Sequence, residues 1–314
     1  MDQPDGFVAN GQEGKVCKLL KSLYGLKQAP KQWHEKFDRT LTSAGFVVNE
    51  ADKCVYYRYG GGEGVILCLY VDDILIFGSS LKVTEEVKEF LSNNSEMKDL
   101  GEADVILNIK LLREGDGGVT LLQSHYVEKV LSRFGFSDCA PAPTPYDPSV
   151  LLRKNQRIAR DQLRYSQIIG SLMYLASATR PNISFAMCKL SRFVSNPGDD
   201  HWRALERVMR YLKGTMSYGI RYTGHPKVLE GYCDANWISD ADELYAISGY
   251  VFSLGGGDVF WKSCKQTILT KSTMEAELTT LDTAGSEAEW LRDLLMDLPV
   301  VKKPIPTISM KCDN

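Results

Sequence analysis

No two cysteines are spaced C-x-x-C, although the chain carries eight: Cys17, Cys54, Cys68, Cys139, Cys188, Cys233, Cys264 and Cys312. Its four histidines are equally scattered. Zinc-site spacing is therefore absent, and a residue such as Cys68, inside the run V-I-L-C-L-Y-V, reads as a small core hydrophobe. The opening residues, MDQPDGFVANGQEG, have neither the basic stretch nor the apolar stretch of a signal peptide. Asp72 and Asp73 break the longest apolar run well short of the roughly 18 residues that a membrane span needs. The expectation is a reduced, intracellular chain, cytoplasmic or nuclear, with no membrane partner. An excess of positive charge is missing too: 37 Lys and Arg against 40 Asp and Glu leave a net charge of −3. Taken alone, that balance argues against a generic nucleic-acid binder. No repeat of solenoid or propeller period is present.

What the chain does have is enough length, 314 residues, for two domains, and a local concentration of proline. Four prolines fall between Cys139 and Ser149, in C-A-P-A-P-T-P-Y-D-P-S, and predict an extended linker or boundary. A second boundary is expected near Gly224-His225-Pro226. Before the linker the pattern is α+β. Trp33, Phe37 and Leu41 form a helical stripe over 30–43, and Val55–Tyr59, Val65–Tyr70 and Ile74–Phe77 are strand-like. Thr84 is expected to cap a helix through about Asn93, followed by a hairpin (Asp104–Leu112 and Val119–Gln123) and a helix (His125–Phe134). Residues 161–213 read as mostly helical, ending in a helix from Asp199 with Trp202, Leu205, Val208, Met209 and Leu212 on one face. Strands are expected at Leu229–Cys233, Ser248–Leu254, Asp258–Lys262 and Thr267–Thr270. A long helix over Glu275–Leu298, touching the core through Leu281, Leu291, Leu294, Leu295 and Leu298, and a last strand at Thr307–Cys312 complete the pattern.

Charge is segregated along the chain. Lys15, Lys18, Lys21, Lys27, Lys31, Lys36 and Arg39 cluster early. Arg153, Lys154, Arg157, Arg160 and Arg164 follow the prolines, and Arg203, Arg207, Arg210 and Lys213 share a face of the Asp199 helix. Such stripes are either solvated helix faces or phosphate contacts.

Two carboxylates, Asp72 and Asp73, occupy a turn between apolar strands where Asn-Gly or Asp-Gly is usual. Residues alone leave two readings: a solvent-exposed acidic turn, or oxygen ligands for a divalent cation. Upstream runs K-L-L-K-S-L-Y-G-L-K-Q-A-P over Lys18–Pro30, with Trp33 beyond it. Together with Y-V-D-D over Tyr70–Asp73, this chain closely resembles the reverse transcriptase of copia-type LTR retrotransposons. Lys31 stands where that family usually has Arg, and Arg180-Pro181-Asn182-Ile183 resembles its T-R-P-D-I run with Asn182 in place of Asp. The resemblance extends over essentially the whole chain.

It implies a polymerase palm-type mixed sheet with helices, a helical connection, and a ribonuclease H-like α/β domain. The expected division is 1–140 partial reverse transcriptase, 141–225 proline-rich linker and helical thumb or connection, and 226–314 partial ribonuclease H-like domain. It implies two-metal phosphoryl transfer with Mg2+ or Mn2+, held by Asp72 and Asp73. Tyr70, Gly25, Lys27, Gln28, Arg203, Arg207 and Arg210 are the implied nucleic-acid or nucleotide contacts. The implied partners are RNA template, DNA primer, RNA/DNA hybrid, dNTPs and the remainder of the Pol polyprotein, in a virus-like particle for the parent family.

A second acidic set lies further on, in D-A-N-W (Asp234–Trp237), S-T-M-E-A-E-L (Ser272–Leu278) and C-D-N (Cys312–Asn314). Singly, Glu275 and Glu277 read as first-turn acids complementing a helix dipole, and Asp234 and Asp313 as strand caps. By the resemblance, Asp234, Glu277 and Asp313 match metal-binding carboxylates of ribonuclease H. The run Y-A-I-S-G-Y, ending at Tyr250, departs from the family's K-S-T-S-G-Y. The family's first polymerase aspartate lies upstream of the stretch matched by Met1–Phe7, and a fourth ribonuclease H carboxylate lies beyond C-D-N. The expectation is a fragment short of one carboxylate in each site and inactive in polymerisation by itself. A non-catalytic hybrid-binding remnant and a functionless relic are the other readings.

Overall fold

The computed structural model describes residues 2–8, 10–20, 23, 25–238 and 244–312. The chain divides into two compact units, one of residues 1–99 with 293–302 and the other of 100–292 with 303–314.

In the first unit, Pro30 starts α1 (Ala29–Ser43), where a missing amide is harmless. Phe37 and Leu41 are its buried stripe, and Trp33 stacks on Phe37 at 5.2 Å. Four antiparallel strands follow in the order β1 (Val47–Val48), β2 (Val55–Gly60), β3 (Glu63–Tyr70) and β4 (Asp73–Gly78). Val65, Leu67 and Leu69 alternate inward from β3 and meet Phe37, Leu41, Tyr56 and the buried side of α2 (Leu81–Asn94) in one core. Ser80 caps α2 by accepting the amide of Val83. The predicted cap, Thr84, lies inside the helix, and its hydroxyl bonds back to the carbonyl of Ser80. Serine one turn earlier wins because it sits immediately before the first helical residue with extended backbone angles. The last residues of the long helix α7 (Thr273–Asp297) also belong to this unit: Asn49 Nδ2 donates to the Leu294 carbonyl, and Asp297 accepts the amide of Glu50.

The second unit contains two sheets and a helical core. One sheet has the order β5 (Val105–Ile106), β6 (Ile109–Arg113), β7 (Val119–Leu122) and, paired to β7, β8 (Gly219–Tyr222). The expected single strand Asp104–Leu112 is itself a tight hairpin. Leu107 and Asn108 both take positive φ (51° and 56°), a two-residue turn made without glycine. Tyr174 OH bonds the Leu107 carbonyl and fixes that turn.

The helices α3 (Ser124–Arg133), α4 (Gln162–Ala178), α5 (Ser184–Leu190) and α6 (Asp199–Gly214) enclose a core of Tyr165, Ile168, Leu172, Met187, Val208 and Leu212 among others. The amphipathic face read for α6 is the buried one. Cys139–Ser149 is extended but held: Ala142 is buried and donates its amide to the Arg210 carbonyl. Tyr146 packs edge-on to Phe185.

The other sheet has the order β11 (Gly257–Lys265), β10 (Ile247–Leu254), β9 (Glu230–Asn236) and β12 (Ser309–Cys312). β10 is antiparallel to both neighbours, and β12 runs parallel to β9. The long helix is α7 (Thr273–Asp297). Of the predicted leucines only Leu291 is buried; the rest of the buried stripe is small residues at four-residue spacing, Ala276, Thr280, Ala284 and Ala288. Side chains without bulk let the helix sit close to the sheet, where Thr280 Oγ1 meets Ser248 Oγ at 2.6 Å and Gln266 Nε2 reaches the Ala276 carbonyl. Thr267–Thr270, expected as a strand, is a loop. The carbonyl of Thr270 accepts the Trp237 indole, and Ile268 and Leu269 face solvent. Among the described residues no helix is long and apolar enough to cross a membrane.

Candidate functional site

Tyr70 and Asp73 face each other across the end of the β3–β4 ladder, leaving Val71 and Asp72 as a two-residue turn. Of these two, Val71 takes a positive φ, 50°. That position is normally glycine's, and a β-branched residue there is strained by about 1–3 kcal/mol. The strain is tolerated because the ladder below is fully registered, from Val65 opposite Gly78 to Tyr70 opposite Asp73, over the buried Leu67. The result is a stiff tip on which Tyr70, Val71, Asp72 and Asp73 are all exposed. Two adjacent carboxylates in water are the hard oxygen donors that a cation such as Mg2+ selects.

Gly25, Lys27 and Gln28 form the exposed approach to α1. Gly25 has φ 90°, which an L side chain rarely adopts, so glycine is required there by the backbone. Lys21, Ser22 and Tyr24 of the same motif lie outside the described residues.

The second acidic set is arranged differently. Along β9, Gly231 and Cys233 are buried while Tyr232, Asp234 and Asn236 alternate to the exposed side. Asp234 lines a cleft of about 890 Å3 shared with Asn182, Phe185, Trp261 and Lys311. Glu277, in the first turns of α7, is buried at 6% exposure. Its Oε1 accepts the amide of Ala235 at 3.1 Å, and its Oε2 lies 3.5 Å from Cys312 Sγ. Cys312 is paired in register with Cys233. Burial, and Cys312 beside it, push the Cys233 thiol up to about 12. Asp313 lies outside the described residues, as do Asp240–Glu243, shortly before the Y-A-I-S-G-Y run. Among the described residues no three His, Cys, Asp or Glu side chains are grouped as metal ligands. Glu275 does what a first-turn acid does, accepting the Lys271 amide at 2.6 Å.

Two of the arginines expected to face phosphate are engaged within the protein. Arg207 donates to the carbonyl and hydroxyl of Thr144 and lies 3.5 Å from Asp147, while Arg210 Nε donates to the Ala140 carbonyl at 2.7 Å. Arg203 pairs with Asp200 at the exposed start of α6. The basic stripe therefore grips the proline segment. A charge pattern cannot reveal this, because most of the acceptors, the Thr144 and Ala140 carbonyls and the Thr144 hydroxyl, carry no charge.

Arg180, which opens the R-P-N-I run, is buried at 1% exposure. It lies between the rings of Tyr211 and Tyr218 and donates to Asn182 Oδ1 (3.2 Å) and the Thr215 carbonyl (3.0 Å). Burial among neutral partners lowers its pKa.

Residues 1–148 match the family described as reverse transcriptase (RNA-dependent DNA polymerase). Over 281 residues the chain is 33% identical to a putative transposon Ty5-1 protein of Saccharomyces cerevisiae, covering 88% of this chain and 91% of that one. The chain belongs to the reverse transcriptase family of retrovirus-related transposons. It is also 39% identical over 312 residues to the retrovirus-related Pol polyprotein from transposon TNT 1-94 of Nicotiana tabacum, and 35% identical over 317 residues to that from transposon RE2 of Arabidopsis thaliana. These matches cover 96% and 100% of this chain but 24% and 21% of the polyproteins. The chain thus spans about a quarter to a fifth of the length of those relatives.

Proposed function

We propose that the chain carries two phosphoryl-transfer sites of a copia-type Pol polyprotein: a polymerase site at the β3–β4 tip and a ribonuclease H site at the β9–α7–β12 junction. The observation that carries the first is the stiff, exposed Tyr70–Asp73 turn, which presents two carboxylates with a registered hairpin behind them. Asp72 and Asp73 would hold the cation, whose chemistry when bound is to activate a hydroxyl nucleophile and stabilise a pyrophosphate leaving group. Tyr70 flanks the incoming nucleotide. Gly25, Lys27 and Gln28 contact template and nascent base pair, with the glycine permitting close backbone approach.

The second site is supported by the order of its elements: three antiparallel strands, a helix, then a strand parallel to the first. Asp234 near the end of β9, Glu277 at the start of α7 and Asp313 after β12 follow that order. The carboxylate oxygens are again donors suited to Mg2+ or Mn2+. RNA template, DNA primer, RNA/DNA hybrid and dNTPs are the partners, with the rest of a Pol polyprotein. Among the arginines of α6, Arg203, exposed and paired with the exposed Asp200, is the one proposed for phosphate contact.

The test is primer extension and hybrid cleavage by the purified chain, with and without Mg2+, beside Asp72→Asn and Asp234→Asn. The expected pattern is no primer extension by the chain alone and weak hybrid cleavage that is lost in Asp234→Asn; Mg2+-dependent extension abolished by Asp72→Asn would overturn the expected inactivity. Salt-dependent hybrid binding with turnover of neither substrate would replace this reading with that of a non-catalytic hybrid binder.

A further inference from the structure

Cys233 and Cys312 sit directly opposite each other on the parallel strands β9 and β12. Neighbouring strands lie about 4.8 Å apart, inside the window of about 4.4–6.8 Å between Cα atoms that a disulfide requires. Residues paired in register project to the same side, and here both thiols meet at the foot of α7, where Cys312 Sγ also touches Glu277 Oε2. Both thiols are free. Their exposure differs: Cys233 is buried, whereas Cys312 is partly open.

We propose that Cys233 and Cys312 form a paired-thiol modification site that takes small-molecule disulfides and closes into a Cys233–Cys312 bond. Cys312, as its thiolate, attacks one sulfur of the small disulfide; the S–S bond breaks and one small thiol leaves with a proton. Cys233, releasing its proton, attacks the Cys312 sulfur of the mixed disulfide and expels the second small thiol. Two protein thiols are oxidised to one disulfide, and one small disulfide is reduced to two thiols. The division of labour follows from exposure, since a reagent meets Cys312 first and cannot approach Cys233. Closing the bond removes the S–H that Cys312 offers Glu277 Oε2, so one oxygen of that buried carboxylate loses its partner. The consequence for hybrid cleavage rests on the ribonuclease H reading; the bond itself does not.

The experiment treats the full chain with oxidised glutathione, blocks remaining thiols and maps the peptides by mass spectrometry. A cross-link between the peptides holding Cys233 and Cys312 is expected, absent in Cys312→Ser and in Cys233→Ser, and retained in Cys188→Ser. Only mixed disulfides at exposed Cys17 and Cys54, or a bond between the neighbouring Cys188 and Cys264 instead, would overturn the proposal. In parallel, hybrid cleavage should fall about tenfold or more on oxidation and return with dithiothreitol, while in Cys233→Ser the ratio of oxidised to reduced activity stays near one. A bond that forms and leaves cleavage unchanged overturns the link to Glu277. A bond that forms in a chain without cleavage in either state keeps the thiol site and removes the ribonuclease H reading.

Discussion

The β3–β4 tip and the β9–α7 junction each present acids to a proposed cation, but they prepare them in opposite ways. At the tip, Asp72 and Asp73 stand in water on a hairpin whose backbone strain is concentrated in Val71. At the junction, Glu277 is buried with one oxygen bonded to an amide and the other against a thiol. The first arrangement leaves the carboxylates free and makes the scaffold carry the geometry. The second holds one carboxylate by its own hydrogen bonds and makes it part of the packing. Substitutions at the tip should therefore separate activity from stability, whereas substitutions at the junction should couple them.

The sharpest way to break the contrast is to attack the scaffold under the tip. Leu67 is fully buried in β3, and Leu67→Ala should destabilise the first unit by about 2–5 kcal/mol, read from the denaturant midpoint. Asp72→Asn, a few residues away but exposed, should move the same midpoint by no more than about 0.5 kcal/mol. An equal loss in both would remove the distinction between tip and scaffold.

Next in size is Glu277→Ala, which leaves the amide of Ala235 without its acceptor and should lower stability by about 1–3 kcal/mol, with faster amide exchange at Ala235. Unchanged exchange there would mean that the junction holds its carboxylate no more tightly than the tip does. Val71→Gly has the opposite sign. Relief of about 1–3 kcal/mol of strain, set against about 0.4–1 kcal/mol of added unfolded-state freedom, should leave the hairpin more stable by about 1 kcal/mol.

The smallest effect concerns acidity. Burial raises the pKa of Asp258 in β11. A carboxyl raised on folding favours the native state below its unfolded pKa, and this contribution is lost as pH rises through its elevated folded value. Stability of the second unit should therefore lose a small increment between about pH 4 and the pKa of Asp258, and Asp258→Asn should flatten that slope in a pH series of thermal melts.

Much of this was legible in the residues. The Trp33-Phe37-Leu41 stripe, the apolar face of α6, and the V-I-L-C-L-Y and I-L-I-F runs flanking Asp72-Asp73 became the elements they predict, because each is a local pattern that tertiary packing only has to accept. Thr84 misled because several hydroxyls compete for one cap and the decision lies in the backbone angles at Ser80. Thr267–Thr270 misled because β-propensity says nothing about whether a partner strand remains. On α7 the larger residues drew attention, but close approach to a sheet selects for small ones, and Ala276, Thr280, Ala284 and Ala288 are inconspicuous. Within the candidate sites, the carboxylates were visible as motifs. The strain at Val71 and the thiol beside Glu277 depend on φ angles and strand register, which no spacing rule carries.

The proline segment has a practical consequence. Four prolines in eleven residues look like a place to cut when a shorter protein is wanted for study. Here the backbone of that stretch supplies the acceptors for Arg207 and Arg210 and tucks Ala142 into the interior. Severing it would leave two guanidinium groups without their carbonyls and open a hydrophobic seam along α6. Anyone dividing this chain should keep Ala140–Thr144 on the same piece as α6.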